Sequence, residues 1–144
     1  MTLRGLACVV AAFFAASIPL DIARAAKLIA KVDISKQTMT VIKDGSVRYT
    51  WRVSTARTGF VTPVGKYRAK WASLNHRSRK YDNAPMPYAI FYNGGYAVHA
   101  TYDVKRLGRP ASHGCIRLHP DHAAAFFEMA NSAGLRNTRI DISH

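Results

Sequence analysis

Cys115 sits in Pro110-Ala111-Ser112-His113-Gly114-Cys115-Ile116-Arg117-Leu118, with His113, Arg117 and His119 close by in sequence. Cysteine attacks as thiolate, and neighbouring imidazoles and cations bring its pKa toward working pH. A buried cysteine can equally be a small hydrophobe, so this segment alone leaves both a nucleophile and a structural thiol open. A nucleophile also needs a base and donors for the oxyanion. His99 ends an alternating apolar run and precedes a loop able to fold it back toward Cys115; it is the candidate base. His113 lies two positions from Cys115 on an extended segment, has little freedom to meet it, and reads as a wall of the site. The amides of Gly114 and Cys115 are candidate oxyanion donors, since glycine permits close backbone approach. Arg117 can present a guanidinium to a substrate carboxylate.

The remaining chain must position these groups. Residues 1–25 have the form of an export signal: Arg4, an apolar run from Leu6 to Leu20, then Ala23-Arg24-Ala25 as a small-x-small cleavage site. The run is short for a membrane span, and Pro19 and Asp21 interrupt its end. Cleavage before Ala26 removes Cys8 and leaves one domain, residues 26–144, with Cys115 as its only thiol. An exported domain with one cysteine forms no internal disulfide, which favours a reactive sulfur.

Period-two alternation dominates that domain. Leu28, Ala30, Val32 and Ile34 share one face, and a second run covers Thr38 to Ile42. Asp44-Gly45 marks a hairpin. Val47, Tyr49, Trp51 and Val53 are expected inward, as are Tyr67, Ala69 and Trp71, with Lys66, Arg68 and Lys70 outward. Residues 73–87 read as a long, basic, irregular loop of the kind that often binds ligands. Tyr88–Tyr92 is apolar on both faces and should be a central strand, turned by Asn93-Gly94-Gly95 into Tyr96–His99. Pro120, Asp121 and Gly134 bound a helix whose core stripe is Ala123, Phe126, Phe127 and Ala130. Arg139–Ile142 closes the chain as a strand. The fold class is α+β, mainly β.

The 21 basic and 8 acidic residues give a net charge of +13. Such an excess suits a polyanionic neighbour, whether nucleic acid, an acidic polymer or a membrane surface, and a non-catalytic cationic binding module is one reading of it. The solvated face of an antiparallel sheet accounts for the same residues. His113, Cys115, His119 and His122 crowd one segment, but Pro120 breaks it and no second cysteine pair completes a zinc spacing, so no metal is expected. No cofactor is expected either. Papain-like peptidases place their cysteine before the histidine, the reverse of the order here.

His99, twelve intervening residues and then Ser112-His113-Gly114-Cys115-Ile116-Arg117 resemble the signature of the L,D-transpeptidase catalytic domain, the YkuD family. Thr62-Pro63-Val64-Gly65 and Met86-Pro87-Tyr88 extend the resemblance over most of residues 28–142. It implies a β-sandwich-type domain with one main helix after the cysteine, and a cleft roofed by the long loop. It implies that Cys115 attacks the bond between the third-position diamino acid and D-Ala of a peptidoglycan tetrapeptide. D-Ala then leaves, and an amine of a second stem resolves the thioester into a 3→3 cross-link; water as acceptor gives carboxypeptidase activity. By the same resemblance the Ala100 carbonyl orients His99, at a position where Gly or Ser is usual. Ser112 is then a cleft hydroxyl, Tyr88 a cleft wall and Arg117 the substrate-carboxylate contact. The implied partners are peptidoglycan stem peptides, with a wall-anchored lipoprotein as one candidate acceptor. Nucleic acid and stable membrane insertion after signal cleavage are not expected, and the location is the periplasm or cell wall.

Overall fold

The computed structural model describes residues 26–144, so the expected signal segment lies outside the described residues. In chain order the strands are β1 (Leu28–Asp33), β2 (Thr38–Lys43), β3 (Ser46–Arg52), β4 (Gly65–Arg68), β5 (Trp71–Ser78), β6 (Ala84–Asn93), β7 (Tyr96–Ala100) and β8 (Ile116–Leu118). Helix α1 (Pro120–Ala133) and β9 (Thr138–Ser143) complete the domain. The strands form two sheets, β3-β2-β1-β9-β4 and β5-β6-β7-β8. Pairs β1–β9 and β7–β8 are parallel; the other neighbours are antiparallel. The chain is thus mainly β, in two sheets with one main helix, as its alternation predicts.

Leu28, Ala30 and Val32 of β1 and Met39 and Val41 of β2 are buried. They meet Ile90, Tyr92, Val98, Ile116 and Leu118 of the second sheet in one core. Helix α1 adds Ala123, Phe126 and Ala130, while Phe127 is half-buried at its margin. Truncating a side chain as fully enclosed as Phe126 costs about 3–5 kcal/mol. The helix starts where His119 Nδ1 accepts from the Asp121 amide at 3.2 Å, with Pro120 in its first turn. It stops at Gly134, whose φ of 87° ends helical geometry.

Local chemistry sets the hairpins. Asp44 and Gly45 both have positive φ, 50° and 80°, as a two-residue type I′ turn requires. Three expectations change in the fold. First, β3 is an edge strand that outruns the core: Trp51 is buried, but Val47 and Tyr49 are 65% and 47% exposed. Second, the 66–71 run is two strands. The Ala69 amide donates to Thr138 O and the Lys70 amide to Phe91 O, so the chain passes there from one sheet to the other. Ala69 is therefore buried, while Trp71 is 44% exposed and stacked on Phe91 at 3.8 Å.

Third, residues 73–87 form a hairpin rather than an irregular loop. Strands β5 and β6 pair from Trp71↔Phe91 to Ser78↔Ala84, with Asp82 and Asn83 at positive φ in the tip. Pro85 and Pro87 lie in the part of β6 that has β5 on one side and no paired neighbour on the other. A missing N–H is tolerated on such an open side.

Candidate active site

Strands β7 and β8 run parallel with Val98 opposite Ile116 and His99 opposite Arg117. Val98 and Ile116 point into the main core. Alternation sends Ala97, His99, Cys115 and Arg117 to the opposite face. Cys115 and His99 are then one strand and two residues apart, roughly 8 Å between α-carbons from the strand spacing and rise. Both line a cleft of ≈ 990 Å³, together with Met86, Tyr96, His113 and Arg117.

The Cys115 side chain packs against Met86, Ala89, Phe91 and Ala97. Burial pushes its thiol pKa up, against smaller downward pulls from the Ala97 backbone and Arg117. The thiol donates to Gly95 O at 3.7 Å. His99 is 5% exposed, and its Nδ1 lies 2.6 Å from Ala100 O. A carbonyl only accepts, so Nδ1 carries the proton and the Nε2 lone pair is the basic site of the ring. Burial holds the His99 pKa down at about 4; the Ala100 bond opposes this, and Arg117 and His76 add to it. At neutral pH the pair therefore rests as thiol and neutral imidazole.

The segment around Cys115 is held by the chain opposite it. Ser54 and Arg117 exchange backbone hydrogen bonds, and the amides of Ala111 and Ser112 both donate to Thr55 O. Thr55 is anchored in turn by Gln37, whose Oε1 accepts from the Thr55 amide at 2.9 Å and whose Nε2 donates to Thr55 Oγ1 at 2.6 Å. The buried Thr62 hydroxyl accepts from the Ala56 amide and donates to Gly114 O, both at 2.9 Å. Gly114 has φ of 131°, and a Cβ there would lie 2.5 Å from Tyr96 Cε1 and 2.7 Å from Val61 O. No other residue fits without moving backbone.

The walls are aromatic and basic. His113 stacks on Tyr81 at 4.1 Å and meets Phe60 edge-on at 4.7 Å. Tyr81 belongs to the β5–β6 tip, so the hairpin closes one side of the cleft. Arg117 is half-buried and donates to Ala111 O at 3.3 Å; burial lowers its pKa. None of the ion pairs among the described residues involves it.

The family model of the YkuD L,D-transpeptidase catalytic domain matches residues 27–142. The chain belongs to this family. L,D-transpeptidase 1 of Mycobacterium tuberculosis is 30% identical over 115 residues, which cover 70% of this chain and 46% of that protein. This L,D-transpeptidase domain thus spans about half the length of the curated relative. The solved L,D-transpeptidase from Mycobacterium smegmatis superposes with a TM-score of 0.72 at 26% identity, covering 82% of this chain and 59% of that one. An L,D-transpeptidase solved in complex with imipenem gives 0.71 at 27%, covering 81% and 59%.

Within this L,D-transpeptidase domain, His99, Cys115, His113 and Arg117 converge on one cleft, and three other expected site residues take different places. The Gly114 amide donates to Ser112 Oγ at 3.0 Å and is engaged, leaving the Cys115 amide as the remaining oxyanion candidate of the two. Ser112 is fully buried, and its hydroxyl donates to Cys115 O at 2.6 Å; it braces the loop instead of facing the cleft. Tyr88 packs edge-on to Phe127 at 5.8 Å, toward α1. Its φ of 55° slips the alternation of β6, so Met86, Ala89 and Phe91 share the cleft side while Tyr88 and Ile90 join the core.

Tyr81 and Phe60 lie outside every motif of the sequence, while the Thr-Pro-x-Gly and Met-Pro-Tyr motifs include Thr62 and Met86 without revealing their roles. His119 caps α1, and His122 stacks on Trp51 at 4.8 Å. Among the described residues no group of three or more His, Cys, Asp or Glu side chains is placed to hold a metal ion.

Proposed function

We propose that the domain is an exported peptidoglycan L,D-transpeptidase in which Cys115 is the nucleophile and His99 the base. One observation carries the reading: a free thiol and a buried imidazole, its Nδ1 bonded to Ala100 O, share one face of the β7–β8 pair inside one cleft. Exchanging the usual Gly or Ser for Ala100 leaves that carbonyl in use.

In the first step His99 Nε2 takes the thiol proton as sulfur attacks the carbonyl between the diamino acid and D-Ala. Burial disfavours a standing thiolate, so proton transfer accompanies attack instead of preceding it. The Cys115 amide faces the developing oxyanion, a donor worth about 3–4 kcal/mol in comparable sites. Collapse breaks the C–N bond, and the imidazolium returns its proton to the departing D-Ala amine. An acceptor amine then attacks the thioester, gives its proton to His99, and forms the new amide as the thiol is regenerated. An amine of a second stem yields a 3→3 cross-link, an amine of a wall-anchored lipoprotein yields a protein–wall bond, and water yields trimming. Arg117, which is in no ion pair among the described residues, contacts a substrate carboxylate. Residues 1–25 direct export to the periplasm or wall and are then removed.

Incubation with purified disaccharide-tetrapeptide, followed by mass spectrometry, tests the reading. Release of D-Ala with a transient acyl adduct on Cys115 is expected. An unmodified tetrapeptide after prolonged incubation with folded protein refutes it.

A further inference from the structure

The rim of the cleft carries cations that are oriented by the aromatic wall. His113 is clasped between Tyr81 and Phe60, and each of those rings also has a cation over it. The Arg57 guanidinium lies 4.7 Å from the Phe60 centroid and Lys80 Nζ lies 5.4 Å from the Tyr81 centroid. Arg117 completes the group from the floor of the cleft. All three are close enough to add to the effect of burial in lowering the pKa of His113. None takes part in the ion pairs of the described residues. Two carboxylates line the same cleft, Asp82 and Asp103, and Asp103 is engaged by Arg106 at 2.8 Å. Stacking on a ring limits where a flexible cation can go, so the charges are partly pre-organised for a partner.

We propose that Arg57, Lys80 and Arg117 form an anion-selective rim that favours stem peptides with several free carboxylates over the same peptides with those carboxyls amidated. The proposal rests on the transpeptidase reading and specifies its substrate class. An amidated carboxyl keeps its shape but loses the charge-assisted bonds and the long-range attraction.

Two disaccharide-tetrapeptides that differ only in amidation of the second- and third-residue carboxyls provide the test. Calorimetric titration into Cys115→Ala protein reads binding without turnover. The free-acid peptide should bind about tenfold more tightly at low ionic strength, and the gap should narrow in half-molar salt. Both rim cations Arg57 and Lys80 are exposed, so an Arg57→Gln, Lys80→Gln variant should fold normally and show a reduced preference. Equal affinities, or a preference unchanged in that variant, overturn the proposal. Equal kcat/KM for D-Ala release from both peptides by the wild-type protein also overturns it, with the transpeptidase reading intact. Absence of D-Ala release from either peptide, with the binding preference present, refutes the transpeptidase reading and supports the acidic-peptide rim.

Discussion

The Thr62 hydroxyl donates to the Gly114 carbonyl at 2.9 Å, joining residues 52 positions apart. The same oxygen accepts from the Ala56 amide, so one side chain ties two loops together beside Cys115. Thr62→Val keeps the shape and leaves both backbone groups without that partner. It should cost about 1–3 kcal/mol of stability. A lowered melting temperature together with slower D-Ala release is the expected result; loss of neither would show that the bond positions nothing.

The protonation states set a pH profile. With the His99 pKa held near 4, the acid limb of kcat/KM should fall at about pH 4, below the range of an ordinary histidine. The raised thiol keeps Cys115 protonated at rest through neutral pH. A profile that drops near pH 6.5 would mean that the imidazole is not desolvated as its burial implies.

Stability follows the same group. The folded-state pKa of His99 is depressed, so the unfolded chain binds more protons between about pH 4 and 6.5. The contribution is complete above the unfolded value and is lost as pH falls through that window, amounting to about 3 kcal/mol. Denaturant titrations at pH 7 and pH 4.5 should show a larger loss for the wild-type protein than for His99→Gln.

Cys115→Ala and His99→Ala should each abolish turnover. His119→Ala removes a helix cap remote from the cleft chemistry and should cost about 0.5–2 kcal/mol of stability with turnover retained. Circular dichroism and product release separate the two effects. Inactivity of folded His119→Ala would bring the helix start into the reaction.

Gly114→Ala places a methyl group against the Val61 carbonyl and the Tyr96 ring. The Cys115 loop must shift, and a displacement near 1 Å costs about a hundredfold in rate. The expected outcome is a folded protein with a strongly reduced kcat. Retained activity would show that the loop tolerates movement.

Several features were legible in the sequence because their causes are local. Asp44-Gly45 specifies its turn through backbone conformations open to those two residues. Pro120 and Gly134 bound α1 because proline suits a helix start and glycine a left-handed exit. The cysteine and a candidate base were legible as residue types, and the alternation of Tyr96–His99 already put His99 on the other face of its strand from Val98.

Other features depended on contacts between distant segments. Alternation marks one face of β3, but only the assembled sheet order makes it an edge whose Val47 and Tyr49 face solvent. Similarly, the 66–71 run gives no sign that Ala69 will bond Thr138 while Lys70 bonds Phe91. The roles of Tyr88, Ser112 and Gly114 turned on one positive φ and two hydrogen bonds. Residue types announced a thiol and an imidazole; their protonation states and common cleft came from tertiary burial, because desolvation depends on what the whole chain packs around a group.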